Sequence, residues 1–356
     1  MARAQLIIDL DAVAANWSAL DAMSAANVET AAVVKADAYG LGAPQVARRL
    51  QAAGARSFFV AIAEEGAALR ESLGPQPDIY VFSGLMQGDV EIFARYQLIP
   101  CLNSPAQLSD FEKFLPGARL AIQINSGMNR LGMEAHEAQR HAENISRLRP
   151  GLVISHLACS DDPTHPQNAD QARRFLEVTA TMPGVRRGLA ATFGTLMGHE
   201  HHHHMTRPGI GLYGGAEFPG TRSVVRLSLP VLQVRDVDPG HSVGYGAAWR
   251  AQRPTRVATV QSGYADGIIR AIGGQGVNLY ADGVACPIIG RVSMDLLTVD
   301  VTDLATIPPQ LELLNERQGV KALAEAAGTI SYEILTALGH RYERVYKGGP
   351  PAQETA

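Results

Sequence analysis

The sequence predicts an α/β protein: an N-terminal (β/α)8 TIM-type barrel followed by a mostly β C-terminal domain. Three observations lead there. Short apolar runs alternate with helix-like stretches over the first two thirds of the 356 residues. Eight such strand–helix units in about 220 residues is the arithmetic of a closed barrel. Beyond that point turn signals crowd together and long amphipathic stretches disappear.

Taken in order, the expected barrel strands lie at 32–35, 58–62, 79–82, 98–101, 120–124, 152–156, 188–192 and 205–212. Each is apolar, too short for a helix, and bounded by polar or turn-forming residues. Between most of them run stretches rich in alanine, leucine and arginine, such as Gln45-Val46-Ala47-Arg48-Arg49-Leu50, suited to amphipathic helices. From Val224 to Val234 begins a series of β-like runs, punctuated by Asp238-Pro239-Gly240, Gly273-Gly274 and Ala281-Asp282-Gly283. Helices return only at 319–327 and 332–338. The expected division is a barrel over 1–220, a β domain over 221–346, and a disordered Pro/Gly-rich tail over 347–356.

Composition narrows the function classes. Hydrophobic residues make up 46% and charged residues 19%, an ordinary globular balance. A formal charge of -4 shows no bias toward nucleic acid or an anionic membrane. Cys101, Cys159 and Cys286 lack any C-x-x-C spacing, which argues for reduced thiols and against a disulfide framework. The N-terminal apolar stretch is stopped at once by Asp9, and no later run approaches the ~20 residues of a membrane span. A cytoplasmic protein is expected.

The most informative segment is Ala31-Ala32-Val33-Val34-Lys35-Ala36-Asp37-Ala38-Tyr39-Gly40-Leu41. It reads as a buried strand with Lys35 at its C-terminal tip. Lysine there is desolvated, which disfavours its charge and frees an amine for imine chemistry. Tyr39 follows one short turn later, where its hydroxyl can meet a phosphate. An isolated V-V-K is ordinarily a lysine snorkelling from a strand end, so the reading depends on the rest of the chain. Three glycine-bounded segments supply it: Asn125-Ser126-Gly127-Met128-Asn129-Arg130-Leu131-Gly132, Arg207-Pro208-Gly209-Ile210-Gly211-Leu212-Tyr213-Gly214, and Ser262-Gly263-Tyr264-Ala265-Asp266-Gly267. Glycines there let backbone N–H groups approach a ligand closely.

In this order and spacing, with Gly290-Arg291-Val292-Ser293-Met294-Asp295, these segments closely resemble the alanine racemase family from about Ile7 to Tyr346. The resemblance implies pyridoxal 5'-phosphate as cofactor, a small amino-acid substrate, and a homodimer in which each site is completed by the partner subunit. It implies that Lys35 holds the cofactor and acts as one base, and that Tyr264 is the second. Arg207 resembles the arginine at the pyridine nitrogen, and His156 the histidine that links it toward the tyrosine. Arg130 resembles the arginine near the cofactor's phenolic oxygen and the substrate carboxylate. Met294 matches the residue whose backbone amide meets that carboxylate. Tyr39, Thr192, Gly209, Ile210 and Tyr332 match phosphate-holding positions. The linked positive charge of Arg207 and His156 is expected to favour the tyrosine's phenolate.

Two positions depart from the family pattern. Gln123 stands where the family often has a carbamylated lysine that steadies the arginine, so Arg130 must be held in another way. Ala191-Thr192 replaces the common Asn-Ser, keeping a hydroxyl and losing an amide. The run His199-Glu200-His201-His202-His203-His204 is read as a surface loop rather than a metal site, because a metal site calls for separated ligands on a rigid element. The expected activity is interconversion of L- and D-alanine by two bases, supplying D-alanine for peptidoglycan. A racemase of another small amino acid such as serine, a decarboxylase of the same architecture, and a non-catalytic cofactor carrier stand as alternatives.

Overall fold

The computed structural model describes residues 3–349. The chain divides into two compact units, one comprising 13–212 with 217–221, the other running through residue 12 and over 213–216 and 222–349. The first strand, β1 (Gln5–Asp9), thus falls outside the barrel unit. Its alternating apolar residues suit a strand buried on one face. It lies antiparallel to a strand beginning at Val225 and parallel to one beginning at Glu343. The chain crosses from one unit to the other within helix Leu10–Asp21.

The barrel unit follows. Its first stave is broken into β2 (Glu29–Thr30) and β3 (Ala32–Val33). Next come β4 (Ser57–Val60), β5 (Asp78–Val81), β6 (Ile99–Leu102), β7 (Ala121–Gln123), β8 (Leu152–Ile154) and β9 (Arg186–Gly188), each parallel to its neighbour. The last stave, β10 (Met205–Thr206), pairs in parallel with β2. Its other edge follows β9, with Arg207 N donating to Ala190 O at 2.8 Å. β2 and β3 as one stave, β4 to β9 and β10 make eight, and the barrel closes. Helices such as Ala43–Ala53, Ala63–Leu73 and Pro166–Thr179 alternate with the staves. Staves such as β4 and β6 are buried along their whole length, which is why they read as continuous apolar runs, whereas β9 is polar and partly exposed.

Strand ends are where the structure departs most from the sequence reading. β3 stops at Val33, so Lys35 stands two residues past the strand rather than at its tip. β8 stops at Ile154, short of His156, and Thr192 opens helix Thr192–Met197 instead of ending a strand. Apolar residues continue past some of the strands, as at Leu189-Ala190 after β9, so hydrophobicity alone overruns the pairing. The histidine run is also corrected. His199–His201 forms a 3₁₀ turn, and His201 and His202 are buried. The His202 ring is held between Ser24 Oγ at 3.1 Å and Thr195 O at 2.8 Å.

In the other unit, β11 (Val225–Val237) is a long strand with a register shift between Val231 and Gln233. Its first half pairs with β1 and its second half with a later strand, so the shift lets one strand serve two neighbourhoods. A hairpin of β12 (Ser242–Val243) and β13 (Trp249–Arg250) precedes β14 (Thr255–Gln261), β15 (Asn278–Ala281), β16 (Val284–Pro287), β17 (Leu296–Asp300) and β18 (Gln310–Leu314). Helices Val320–Ala327 and Ser331–Ala337 follow, then β19 (Glu343–Lys347) beside β1. Lys347, assigned to the tail from sequence, thus ends a strand, while residues 350–356 lie outside the described residues. No helix among the described residues is long and apolar enough to cross a membrane.

One backbone feature stands apart. Ala36, Asp37, Ala38 and Tyr39 have φ of 52, 53, 54 and 57°, a full turn of left-handed helix built without glycine. Each such residue costs roughly 1–2 kcal/mol. Substituting Ala36, whose side chain is exposed, therefore has an inverted sign. Ala36→Gly should stabilise the protein by about 0.5–1 kcal/mol in urea unfolding, whereas in a right-handed helix it would destabilise by a similar amount.

Candidate active site

Eight of the expected site residues belong to the barrel unit: Lys35, Tyr39, Arg130, His156, Thr192, Arg207, Gly209 and Ile210. All follow the C-terminal ends of staves. Lys35 is half-buried, with Nζ 5.8 Å from the centre of the Phe82 ring. Burial pushes its pKa down, the Arg130 charge pushes it further down, and Glu65 opposes both. Glu65 also fixes the backbone around the lysine. One of its oxygens accepts from Ala36 N at 2.8 Å and the other from Ala61 N at 2.8 Å, tying the left-handed turn to the end of β4. Asp37 accepts from Ala43 N at 2.7 Å and so joins the same turn to the next helix.

The turn delivers Tyr39 to Gly209. A Cβ on Gly209 would collide with the Tyr39 hydroxyl, so only glycine fits there. Thr192 Oγ1 accepts from Gly209 N at 3.0 Å and from Gly211 N at 3.2 Å, gathering the glycine-rich segment around one hydroxyl. The threonine alone thus organises this loop, without the amide that the family commonly adds. Ile210 is buried between the two glycines.

Arg207 is 2% exposed and lies over the Phe59 ring at 5.8 Å. Its Nη2 donates to Ser155 O at 2.6 Å, whereas its buried Nη1 has no partner among the described residues. A Cβ on Gly188 would sit 2.6 Å from that nitrogen, so this glycine makes room for the guanidinium itself. Burial lowers the Arg207 pKa to about 10, which still leaves the guanidinium charged at neutral pH. Ser155, which receives Arg207, bonds Ser126 Oγ at 2.7 Å and Ile124 O at 2.8 Å. Gln171 donates to Ser126 Oγ at 3.2 Å and to His156 O at 2.9 Å, completing a buried polar network.

His156 differs from expectation. Burial first, then the charges of Arg207, Arg130 and Lys35, lower its pKa to about 3. The imidazole is therefore neutral at physiological pH and adds no positive charge; the cation of the pair is Arg207 alone. Arg130 is exposed on a loop that is tightly built from below. Asn125 Oδ1 accepts from Gly127 N at 3.1 Å and Asn129 N at 3.0 Å, while Gln123 Nε2 donates to Leu131 O at 3.3 Å. Gln123 thus steadies the Arg130 loop through the adjoining backbone. Gly132, at φ 117°, has no room for a Cβ against Asn125 N.

The β unit carries Tyr264, Met294 and Tyr332. Tyr264 opens a three-residue 3₁₀ turn, Tyr264–Asp266, and Tyr332 lies in helix Ser331–Ala337. Tyr264 N donates to Ser293 O at 3.0 Å and Ala265 N to Met294 O at 2.9 Å, so the two turns run side by side. Tyr264 and Met294 are 42% and 53% exposed. Sequence reasoning missed Glu65, Ser126, Ser155 and Gln171. Their only signal was polarity at positions flanking apolar runs, which many surface residues share.

Models of the alanine racemase N-terminal domain and C-terminal domain match residues 8–217 and 224–346. The alanine racemase of Dinoroseobacter shibae is 57% identical over 349 residues, covering 98% of this chain and 99% of that protein. The one from a Ruegeria species is 54% identical over 346 residues, covering 97% and 99%. Among solved structures, alanine racemase from Bartonella henselae with covalently bound pyridoxal phosphate superposes with a TM-score of 0.91 at 35% identity, covering 98% of this chain and 100% of that one. With both of its units matched by that family's models and near-full-length relatives beside them, the chain belongs to the alanine racemase family.

Proposed function

We propose that this protein interconverts L- and D-alanine with pyridoxal phosphate, using Lys35 Nζ and Tyr264 Oη as bases on opposite faces of the substrate's α-carbon. The observation that carries the reading is the buried Arg207 Nη1, a donor without a partner among the described residues. Such a group needs an acceptor, and the pyridine nitrogen of this cofactor is one. The Thr192–Gly209–Gly211 cluster, with the Tyr39 hydroxyl against Gly209, suits a phosphate. Tyr39, Thr192, Gly209, Ile210 and Tyr332 are assigned to hold it, and Lys35 to hold the cofactor's carbonyl carbon.

When bound, pyridoxal phosphate supplies the conjugated ring into which charge from the α-carbon spreads. The chain's residues do the rest. Burial, then the Arg130 charge, lower the Lys35 pKa, which favours the amine form of this side chain. An arginine at the pyridine nitrogen donates without surrendering its proton, so it limits how much charge the ring draws and favours return of a proton to the α-carbon. Neutral His156 is assigned to relay a hydrogen bond toward the tyrosine, with Arg207 as the cation behind it. Arg130 and the Met294 amide receive the substrate carboxylate. Tyr264, Met294 and Leu296 expose apolar surface on two adjoining turns and the start of β17, as expected of a face that a second subunit covers. On this reading each site of a homodimer draws Lys35 from one protomer and Tyr264 from its partner. Three free cysteines fit work in the reducing cytoplasm, where D-alanine would be made for peptidoglycan.

The deciding experiment follows α-proton exchange of L-alanine in D2O together with optical rotation. Exchange with formation of D-alanine is expected for the wild type, and Tyr264→Phe should slow racemisation by at least about 100-fold. A Tyr264→Phe enzyme that racemises at the wild-type rate would remove the second base. Mixing Lys35→Ala with Tyr264→Phe tests the shared site. Heterodimers regain one intact site each, so activity should recover to about a quarter of wild type after subunit exchange. Sites confined to single protomers would recover nothing. Arg130→Gln should raise the Lys35 pKa, because it removes a positive charge that holds the amine down. The pH at which the apoenzyme takes up pyridoxal phosphate, followed by absorbance, should then move upward.

A further inference from the structure

Tyr264 and Met294 both project from short turns, and racemisation requires the phenol and the carboxylate-binding amide in fixed register. The ladder bonds from Tyr264 N and Ala265 N join the two turns along one edge only. A second connection runs through side chains. Asp266 is 5% exposed; its Oδ2 accepts from Gly263 N at 2.9 Å and its Oδ1 from Arg341 Nε at 2.6 Å. Arg341 Nη1 then donates to Asp295 Oδ1 at 2.8 Å, on the residue after Met294. The backbone closes the same circuit, because Gly339 N donates to Asp266 O at 2.9 Å. Glycine is obligatory where these strands of chain touch. A Cβ on Gly263 would strike Met294 O, and one on Gly267 would strike Ala337 O.

We infer that Arg341, bridging Asp266 and Asp295, is a positioning residue of the reaction that clamps the Tyr264 turn to the Met294 turn. The inference rests on the reading of Tyr264 as base and the Met294 amide as carboxylate site. Stability explains only the inner half of the arrangement. The Asp266 carboxylate is buried and needs a partner, whereas the Arg341 and Asp295 side chains are each 53% exposed, so the outer ion pair adds little. Geometry explains why both arms exist. A guanidinium offers donors at fixed angles to two acceptors at once, which an ammonium on a flexible stem does not. An error of about 1 Å in a reacting group costs on the order of 100-fold in rate.

The test uses dimeric, cofactor-loaded Arg341→Lys, Arg341→Ala and Asp295→Asn enzymes. Rates are measured in both directions with α-protiated and α-deuterated alanine. The two enantiomers are equal in free energy, so kcat/KM must fall equally in both directions. Isotope effects carry no such constraint. The expected outcome is a loss of about 10-fold or more per loaded site for both Arg341 variants. It should come with an α-deuterium isotope effect that rises for one enantiomer alone, because only one base is displaced. Asp295→Asn, which keeps the Arg341–Asp266 pair, should lose less. Wild-type kcat/KM per loaded site in the Arg341 variants would overturn the clamp, as would a loss that leaves both isotope effects unchanged. Tyr264→Phe is run alongside. If it is inactive while the Arg341 variants behave as wild type, the clamp alone fails; if it is fully active, the base assignment fails and takes the clamp with it.

Discussion

The left-handed turn after Lys35 is the constraint on which the barrel's chemistry depends. Four successive residues at φ of 52 to 57° are held in a conformation that L-residues avoid. Something must compensate, and the compensation is local. Glu65 accepts from Ala36 N and Ala61 N, Asp37 caps the following helix through Ala43 N, and Ala38 and Tyr39 are buried. A right-handed turn over the same residues would wind the chain the other way past β3 and lead Tyr39 elsewhere than Gly209. The strain is therefore spent on direction. It brings the Tyr39 hydroxyl against Gly209 only four residues after Lys35.

Around that turn the barrel unit collects positive charge in a poorly solvated place. Arg207 is charged and buried, with one guanidinium nitrogen unsatisfied, and Arg130 and Lys35 lie close enough to depress the neighbouring imidazole. Such an arrangement is costly in isolation. It becomes favourable when an anion and an acceptor enter, which is what a phosphorylated pyridine brings. Burial first, and then the charge of neighbouring arginines, lowers the pKa of both Lys35 and His156.

Much of this was legible in the sequence, and the misses have physical causes. Apolar runs such as Phe58-Phe59-Val60 and Leu152-Val153-Ile154 are staves because parallel strands buried on both faces need no alternation. The end of the first was overrun because Ala61 and Ile62, past the strand, are just as apolar, and the end of the second because Ser155 continues it as a buried residue. Gln5–Asp9 reads only as a short apolar stretch within the barrel segment, because a five-residue pattern does not say which sheet it joins. The left-handed turn was hidden because Ala36-Asp37-Ala38-Tyr39 contains no glycine to signal positive φ. The charge on His156 was misjudged for another reason. A histidine's protonation depends on burial and on neighbours distant in sequence, here Arg207 and Arg130. The histidine run misled in the same way, because its composition suggested solvent while Ser24 and Thr195 hold His202 inside.

The two units meet opposite demands. In the barrel unit the reactive groups are buried or half-buried, and their tuning comes from exclusion of water. In the β unit Tyr264 stands 42% exposed on a turn with little apolar packing to fix it. Rigidity there must come from backbone approach and directional bonds. That is why the turn is flanked by glycines whose replacement would drive side chains into the carbonyls of Met294 and Ala337, and why a buried carboxylate, Asp266, accepts from both the turn's amide and a guanidinium. A phenol held in this way can be stiff and still open to an approaching surface.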